Sequence, residues 1–393
     1  MAAMEKNNKN LNVPNLRFPE FSGEWEKEFL GTTCNVLMCK RILASQTNAE
    51  CGVPFYKIGT IGGAPDAYIS KELFESYRAK YNYPRKGEVM ITCAGTVGKT
   101  IIFEGEDSYY QDSNIVWIDN PTNKIDNTFL YHLISKVDWS KLNTTTIVRI
   151  YNDDLRQLRI SYPTLSEQRK ISIFLNLLNQ LIETQKKIIE DLKKLKDAIT
   201  HFHFRNELTH SPMTYIGQYI TQVSRRNKDT KIDRVLSVSN KYGFVDQDEQ
   251  FEDRVVASID TSNYKVVQKG DFAYNPARIN VGSVAILQEF ENGIVSPMYV
   301  CFTTNKGLLP AYFELYLSTN IFKHEMYKRL EGSVRLCLTY ESLCNIKIAL
   351  PEFSVQTDLA SKVSALLTKI KNEERLLCLY HNFKQYLLTQ MFI

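Results

Sequence analysis

Residues 95–100 carry the most suggestive chemistry in the chain, because they read Gly-Thr-Val-Gly-Lys-Thr. A Gly-Lys-Thr ending is typical of loops whose backbone amides cradle nucleotide phosphates while the lysine reaches the outer phosphates. Such a loop needs another glycine five residues before its last one, and Cys93 occupies that position. The pattern favours a tight turn between two strands. A nucleotide-hydrolysing enzyme is the alternative, which loss of ATP turnover in Lys99→Ala would support.

Residues 275–278 read Asn-Pro-Ala-Arg and share their first two residues with the Asn-Pro-Pro-aromatic motif of adenine methyltransferases. In that motif the asparagine and a proline carbonyl hold the target amine, and the ring stacks on the base. Ala277 and Arg278 replace the second proline and the ring, and no Phe-x-Gly-x-Gly cofactor loop is present. Methyl transfer by this chain itself is not expected.

Three histidines, at positions 201, 203 and 210, lie close together and could be considered for zinc. No cysteine is near them, and the first two fall at the end of a helical pattern, where the helix dipole favours histidine. The eight cysteines contain no Cys-x-x-Cys pair, which indicates reduced thiols. The sequence therefore predicts no catalytic residue, no metal site and no cofactor site.

Basic, amide and aromatic side chains interleave in loops of both halves of the chain. Arginine and lysine contact phosphates or guanine edges, and asparagine pairs with adenine, so these loops are candidate DNA contacts. The same composition also describes an ordinary solvated surface. The candidates are Arg78, Lys80, Lys99 and Arg149 in the first half and Lys241, Asn275, Arg278 and Arg335 in the second.

A long helix is predicted from Thr164 to Phe204, because apolar residues recur there in steps of three and four. Thr164 and Glu167 fit a capping box, and Pro163 cannot continue the helix backwards. At about 1.5 Å per residue the helix would span roughly 60 Å, so it should pack along its length. The expected heptad seam contains Ile171, Phe174, Leu178, Leu181, Ile188, Leu192, Leu195, Ile199 and Phe202, with a polar interruption at Gln185. Leu175, Ile182 and Ile189 widen this seam beyond a strict two-position stripe.

The last forty residues, 354–393, read as a second copy of this helix. Aligning Pro163 with Pro351 places Gln168 on Gln356, and the polar interruption recurs because Gln185 falls on Glu373. A polar pair at one seam position can fix the register of two helices at some cost in stability. The residues expected to pack the two helices together are Leu178, Leu181, Gln185, Leu192, Leu366, Ile370, Glu373 and Leu377.

The regions before each long helix also repeat, with Lys86–Gly87 matching Lys269–Gly270. The predicted fold class is α+β, with two similar mixed α/β domains separated by two long antiparallel coiled-coil helices. The expected boundaries are residues 1–163 and 207–351 for the domains and 164–206 and 352–393 for the helices. With 393 residues the chain is long enough for this organisation.

Composition sets few limits on function. The formal charge of +4 permits nucleic-acid binding without arguing for it, and 44% hydrophobic residues is ordinary globular usage. No apolar run reaches the roughly 18 residues that span a bilayer, and the first residues lack an apolar signal core. The expected location is the cytoplasm, with no membrane partner.

The chain resembles the specificity subunits of type I restriction-modification systems. The resemblance is carried by VPNLRFPEFSGEW (residues 13–25), AGTVGK (94–99) and the junction RIYNDDLRQLRISYPTLSEQRKI (149–171). Within that junction, residues 155–168 form a Leu-x-x-Leu-x-Ile-x-x-Pro-x-x-x-Glu-Gln pattern. A second, divergent junction precedes the last helix, where Val355 stands in place of Glu167.

The resemblance implies two target recognition domains, each reading one half of a split double-stranded DNA sequence. The long helices would act as a spacer and dock two modification subunits, which carry S-adenosylmethionine and methylate adenine. Restriction subunits would add a translocating nuclease that uses ATP and Mg²⁺. By resemblance, this chain has no catalysis of its own. The alternatives are a coiled-coil adaptor without a DNA role and the nucleotide-hydrolysing enzyme considered above.

Overall fold

The computed structural model describes residues 12–141, 149–247, 260–332 and 335–393. By its internal contacts the chain divides into a first unit, residues 1–186 with 376–393, and a second unit, residues 187–375. This division cuts both long helices, whereas the boundaries expected from sequence separate the helices from the domains. Those boundaries stay a prediction about how the chain is organised.

The first unit is built on a four-stranded antiparallel sheet. Its strands are β1 (Glu26–Phe29), β2 (Asn35–Leu37), β3 (Val53–Tyr56), β4 (Tyr68–Ile69), β5 (Val89–Thr92), β6 (Thr100–Ile102), β7 (Tyr109–Tyr110), β8 (Ile115–Asp119) and β9 (Arg159–Tyr162). Its helices are α1 (Leu30–Thr33), α2 (Lys71–Lys80), α3 (Asn127–Lys136), α4 (Asn152–Arg156) and the first part of α5 (Leu165–His210), with 3-10 turns at Ala44–Gln46 and Trp139–Lys141. The main sheet has the order β2-β8-β5-β6; β4-β3-β7 form a second sheet, and β1 pairs with β9.

The second unit repeats this plan. Its strands are β10 (Met213–Tyr215), β11 (Ile220–Val223), β12 (Leu236–Ser239), β13 (Gly243–Asp246), β14 (Lys265–Gln268), β15 (Phe272–Tyr274), β16 (Val284–Ile286), β17 (Asn292–Val295), β18 (Val300–Thr304) and β19 (Lys347–Ala349). Its helices are α6 (Pro310–Ser318), α7 (Asn320–Tyr327), α8 (Tyr340–Cys344) and part of α9 (Phe353–Gln390), with 3-10 turns at Ile216–Gln218 and Ile279–Val281. The main sheet has the order β11-β18-β15-β16, and the remaining pairs are β12-β13, β14-β17 and β10-β19.

Matching local structure supports the predicted duplication. The glycines aligned from sequence, Gly87 and Gly270, have φ angles of 90° and 93°, a left-handed conformation that favours glycine. After each glycine comes a buried carboxylate, Glu88 or Asp271, which accepts a 2.8 Å hydrogen bond from the backbone N–H three residues earlier. The same turn therefore opens the equivalent strands β5 and β15.

The two long helices form as expected and pack antiparallel. The first part of α5 shares a core with the last residues of α9, including Leu387 and Met391. The last part of α5, at Phe204, shares a second core with the start of α9, at Leu359 and Val363. Each unit thus contains one end of each helix, and opposite ends lie together.

The buried face of α5 includes the three residues that were predicted to widen the seam and leaves part of the predicted seam itself exposed. Its buried residues are Ile171, Leu175, Leu178, Ile182, Gln185 and Ile189, which alternate steps of four and three. Leu192 is half-buried on the same face. The prediction for Leu181 is wrong, because that side chain is 51% exposed. Ile188, Leu195 and Phe202, which share its stripe, are also exposed.

On α9 the predicted packing residues fall on the inner face. Ile370 is buried, while Leu366 and Leu377 are half-buried. The Glu373 side chain is 12% exposed and pairs with Lys369 at 2.5 Å. Between the helices, an ion pair joins Lys193 and Glu374 at 2.7 Å.

The segment Asn12–Trp25, called here the N-terminal strap, lies against α5 in the first unit. Arg17 makes two 2.7 Å hydrogen bonds to the Glu167 carboxylate, which is 1% exposed. The sequence predicted that this carboxylate caps its own helix. In the structure it accepts hydrogen bonds from Arg17 instead. The Phe18 ring meets Phe174 edge-on, and the Leu16 N–H bonds the carbonyl of Gln390 at 2.9 Å.

His132 on α3 gives the fold a pH-dependent stability. The imidazole is fully buried, and its Nε2 lies 3.1 Å from the Asn176 side-chain oxygen. Burial, with a smaller contribution from nearby Lys384, lowers the pKa of His132 from 6.5 to about 4. The folded chain therefore favours the neutral ring, and this stabilisation is lost as pH falls from 6.5 to 4. We expect a loss of about 3 kcal/mol over that range through this residue.

Urea unfolding at pH 7, 6, 5 and 4 tests this expectation. Burial raises the pKa of Glu314 to about 7, which stabilises the folded chain on acidification and opposes the histidine effect. The quantity to compare is therefore the difference between the wild type and His132→Gln, which should shrink as pH falls. A matched exposed change, His210→Gln, should leave the wild-type curve unaltered. Parallel curves for the wild type and His132→Gln would contradict the argument.

Within the described residues, no helix combines the length and the apolarity needed to cross a lipid bilayer. The same part of the chain contains no group of three or more histidine, cysteine, aspartate or glutamate residues arranged to hold a metal ion. In particular, the His203 ring lies 3.2 Å from the Tyr312 hydroxyl, and His210 contacts Thr209. His203 and His210 thus have separate surroundings.

Candidate nucleic-acid interface

The Gly-Lys-Thr segment forms the turn between β5 and β6. The Thr92 N–H bonds the Lys99 carbonyl at 3.0 Å, and the Gly98 N–H bonds the Thr92 carbonyl at 2.8 Å. Gly98 has a φ of 83°, and a Cβ there would lie 2.3 Å from the Trp139 ring. A phosphate-binding loop leads from a strand into a helix, whereas this turn leads directly into β6. The geometry therefore supports the tight turn and not a nucleotide site.

Three segments of the first unit meet at this turn. The Cys93 N–H bonds the Asn114 carbonyl at 2.7 Å, and the Ile150 N–H bonds the Cys93 carbonyl at 2.9 Å. Burial raises the pKa of the Cys93 thiol to about 12, so the thiol stays protonated and is a poor nucleophile. We call this region the first sheet end. It consists of the β5-β6 turn, the residues at the start of β8 and the segment just before α4.

Two predicted DNA contacts lie at the first sheet end. The Lys99 amine donates to the Ile61 carbonyl, which draws it towards the loop after β3. The Arg149 guanidinium lies 3.4 Å from the Ser113 carbonyl and 5.8 Å from the centre of the Tyr151 ring. The Arg149 side chain is half-buried and the Lys99 side chain is exposed, and neighbouring groups hold both cations. Ser113 and Asn114 join them as residues that sequence reasoning missed.

The other two candidates of the first unit, Arg78 and Lys80, lie elsewhere. Both are exposed on α2, and Arg78 pairs with Asp107 at 2.9 Å and stacks on the ring of Tyr83. These groups surround the opposite end of β5 and β6, where the Gly87 N–H bonds the Phe103 carbonyl. The structure thus separates Arg78 and Lys80 from Lys99 and Arg149.

The turn between β15 and β16 builds an equivalent second sheet end. The Asn275 side-chain oxygen accepts from the Ala277 N–H at 3.1 Å, while its amide nitrogen donates to the Met298 sulfur at 3.6 Å. The Leu338 N–H bonds the Pro276 carbonyl at 3.1 Å, as Ile150 does with Cys93 in the first unit. The Asn275 amide therefore shapes a turn, which does not suit the substrate-holding role of a methyltransferase asparagine.

All four candidates of the second unit lie at the second sheet end. Arg278 is exposed on the turn itself, and Arg335 is exposed on the segment that leads to Leu338. Lys241 lies in the neighbouring β12-β13 turn with its amine 4.8 Å from the Tyr242 ring centre, and Asn240 packs beside Gly282. Exposed apolar side chains accompany these cations. They are Tyr242, Val281, Met298 and Leu336.

This chemistry suits a nucleic-acid surface. Arginine and lysine offer phosphate contacts and guanine readout, and exposed apolar groups offer contact with base edges or methyl groups. Met298 and Leu336 were not singled out from the sequence. Only the pairing of distant segments brings Met298 beside Asn275 and the segment of Leu336 beside Pro276. Local composition therefore does not predict which side chains share the second sheet end.

Comparison with known proteins shows what part of this chain resembles. Residues 22–194 match the family model of the type I restriction modification DNA specificity domain. Over 169 residues the chain is 48% identical to a Haemophilus influenzae protein assigned as a type I restriction enzyme specificity subunit. The family match lies in the first half of this chain, and the chain is therefore similar over part of its length to type I specificity proteins. The match spans 42% of this chain and 44% of that relative, less than half the length of each.

Solved structures extend the likeness in fold to the rest of the chain. The S subunit of a type I restriction-modification system from M. genitalium aligns with a TM-score of 0.58 and 16% identity, over 97% of this chain and 99% of that one. A chain from a structural study of type I complex assembly and conformational transition aligns with a TM-score of 0.53 and 14% identity, over 93% and 96%. At these identities the alignments establish the fold of this chain and nothing finer.

Proposed function

We propose that this chain is the DNA-specificity subunit of a type I restriction-modification complex, and that each sheet end reads one half of a two-part DNA target. The observation that carries the proposal is the repetition of one structure, a strand-strand turn tied by its backbone to the segment before a short helix. The tie is Ile150 to Cys93 in one unit and Leu338 to Pro276 in the other. Two readers on one duplex also gain effective concentration, so each alone needs only modest affinity.

The long helices would set the spacing of the two half-sites and dock modification subunits. Their outer surfaces support a docking role, because large apolar side chains remain exposed there although both helices already have a buried face. On α5 these include Leu177 at 54% exposed and Leu181 at 51%; on α9 they include Phe383 and Tyr386. Apolar surface of this kind is typical of an interface that a partner protein covers.

Catalysis would belong to the partner subunits. Two modification subunits would bind S-adenosylmethionine and methylate adenine, and restriction subunits would use ATP and Mg²⁺. This chain would contribute sequence readout and geometry in the cytoplasm, where the restricted DNA is encountered. A coiled-coil adaptor without a DNA role is the competing proposal, and nothing at the two sheet ends favours it.

Methylation-motif mapping tests the proposal directly. A host lacking other adenine methylation would express this chain with its modification subunits, and its genome would be sequenced for methylated adenine. We expect one motif in two parts separated by a fixed number of unread base pairs. A continuous motif would contradict the two-part reading, and absence of methylation that depends on this chain would favour the adaptor.

The second sheet end is tested by the double variant Arg278→Ala with Arg335→Ala. We expect DNA affinity of the reconstituted methyltransferase complex to fall at least about 10-fold, since each lost contact costs about 1–3 kcal/mol. If both residues contact phosphates, the slope of log affinity against log salt should also fall by about 2. Fluorescence anisotropy over a salt series measures both quantities.

Lys306→Ala is the matched control for that experiment. Lys306 is an exposed cation in the same unit, just beyond the end of β18, whereas the second sheet end lies at the start of that strand. Its removal should change affinity less than about 2-fold. If Lys306→Ala lowered DNA affinity as much as the double variant, only net charge would matter. The second sheet end would then not be a specific DNA-binding site.

A further inference from the structure

Gln168 and Gln356 have an unusual environment for polar side chains, since both are fully buried. Each lies near the start of a long helix, α5 or α9, five residues after a proline. A buried amide is costly unless its donors and acceptor are satisfied. The partners of these two amides therefore show what the site is built to hold.

Gln168 joins the start of α5 to the start of α3. Its side-chain oxygen accepts from the Asp126 N–H at 2.7 Å. Its amide nitrogen donates to the Lys124 carbonyl at 3.0 Å and to the Pro163 carbonyl at 2.8 Å. One side chain thus bonds the backbone that leads into α5 and the backbone that leads into α3.

Gln356 makes the same three bonds in the second unit. Its oxygen accepts from the Leu309 N–H at 2.8 Å, and its nitrogen donates to the Gly307 carbonyl at 2.8 Å and the Pro351 carbonyl at 3.0 Å. Leu309 is the residue before α6, as Asp126 is the residue before α3. Each glutamine therefore accepts one backbone hydrogen bond and donates two, although the residue types that supply the backbone groups differ.

The helices held in this way support the sheets that carry the sheet ends. Phe129 and Leu133 of α3 share a core with Val89 and Ile91 of β5. In the second unit, Tyr312 and Phe313 of α6 share a core with Phe272 of β15. Because packed cores transmit displacement rather than absorb it, the tilt of α3 or α6 on the long helix determines the tilt of the sheet.

We propose that Gln168 and Gln356 are positioning residues that fix the angle of each recognition domain on its long helix, and thereby restrict the complex to one gap between half-sites. The inference rests on the proposed function. Tilting a domain displaces its sheet end along the DNA, and a displacement of roughly 3.4 Å corresponds to one base pair. Loss of either glutamine therefore relaxes the gap and leaves the bases read by each domain unchanged.

The two joints differ in their additional support. In the first unit the Asp126 carboxylate caps α3 by accepting from the Thr128 and Phe129 N–H groups, and Arg17 holds Glu167 beside Gln168. In the second unit Leu309 provides no side-chain cap, and Val355 stands beside Gln356. Substitution of Gln356 therefore has the larger effect on the gap.

The experiment uses the reconstituted methyltransferase complex and DNA duplexes with the native gap or a gap one base pair shorter or longer. The variants are Gln356→Met and Gln168→Met, which preserve side-chain length, with Gln180→Met on the exposed face of α5 as control. The ratio of methylation rates, native gap over altered gap, should fall at least 10-fold for Gln356→Met and less for Gln168→Met. The control should stay within 2-fold of the wild type.

A merely structural role predicts a different result. It would lower the melting temperature and all methylation rates together, and a ratio that stays within 2-fold of the wild type in a folded Gln356→Met complex overturns the proposal. Should that variant fail to fold, Gln356→Asn, which is one methylene shorter and still polar, is measured instead under the same criterion. If the wild-type complex shows no gap preference at all, the proposed function itself fails.

Discussion

Replacing Arg17 with methionine is expected to destabilise the first unit by about 3 kcal/mol. The Glu167 carboxylate is 1% exposed, and both of its oxygens are bonded by the Arg17 guanidinium at 2.7 Å. Removing one partner of a buried ion pair leaves a charge without compensation, which typically costs about 3–5 kcal/mol. We take the lower end, because the Arg17 side chain is 16% exposed and water can reach the vacated side. Equilibrium urea unfolding at pH 7 measures the change.

A neighbouring exposed pair provides the control. Lys170 pairs with Glu20 of the N-terminal strap, and both side chains are 47% exposed. Because surface ion pairs contribute about 0–1 kcal/mol, Lys170→Met should change stability by less than about 1 kcal/mol. The double variant Arg17→Met with Glu167→Leu should recover much of the loss, since an apolar pair replaces a buried ionic one. Equal effects of Arg17→Met and Lys170→Met would contradict the argument.

The long helices and the duplicated plan were predictable because their signals are local and repeated. Pro163 and Pro351 stop each helix from extending backwards, and the Gln168–Gln356 alignment identified two residues that the structure buries identically. The aligned Lys86–Gly87 and Lys269–Gly270 pairs likewise mark one turn, with matching φ angles. Because each pattern occurs in both halves of the chain, the second copy tests the interpretation of the first. A sequence with one domain offers no such test.

The stripe of α5 that faces inward was harder to predict. Two stripes fit a heptad repeat with Leu178 and Gln185: one through Leu175 and Ile182, the other through Leu181 and Ile188. Both are apolar, so hydrophobic periodicity alone gives no preference. The structure buries the first stripe and exposes the second. If modification subunits cover the second stripe, as proposed, its apolar character reflects a partner that the sequence of one chain does not reveal.

The candidate site was only partly predictable, because side-chain aim depends on which end of a strand a loop occupies. Lys99 and Arg149 are about 50 positions apart in sequence and share the first sheet end, whereas Arg78 lies at the opposite end of the same strands. Both ends of these strands carry basic residues, so the charge of the sequence does not predict which end binds DNA. In the second unit, the backbone bond between Pro276 and Leu338 joins the segments that carry Asn275 and Arg335, a pairing of distant segments with no local signal.

Lengthening both long helices by one heptad is expected to lengthen the unread gap by about three base pairs. Seven residues add about 10.5 Å to a helix, and base pairs are about 3.4 Å apart. The insertion points are after Lys193 in α5 and before Glu374 in α9, which an ion pair joins at 2.7 Å. A heptad preserves the alternating steps of the buried face from Ile171 to Ile189, so the helices should still pack.

Shorter and unpaired insertions separate the spacer hypothesis from simple disruption. Four residues in both helices add about 6 Å, or one to two base pairs, but rotate the buried face by about 40°, so methylation at the new gap should be slower. A heptad in α5 alone leaves seven residues without a partner face on α9 and should abolish methylation at every gap. Methylation-motif mapping of the three variants gives the gap directly. A paired heptad variant that methylates at the original gap would mean that the helices do not set the spacing.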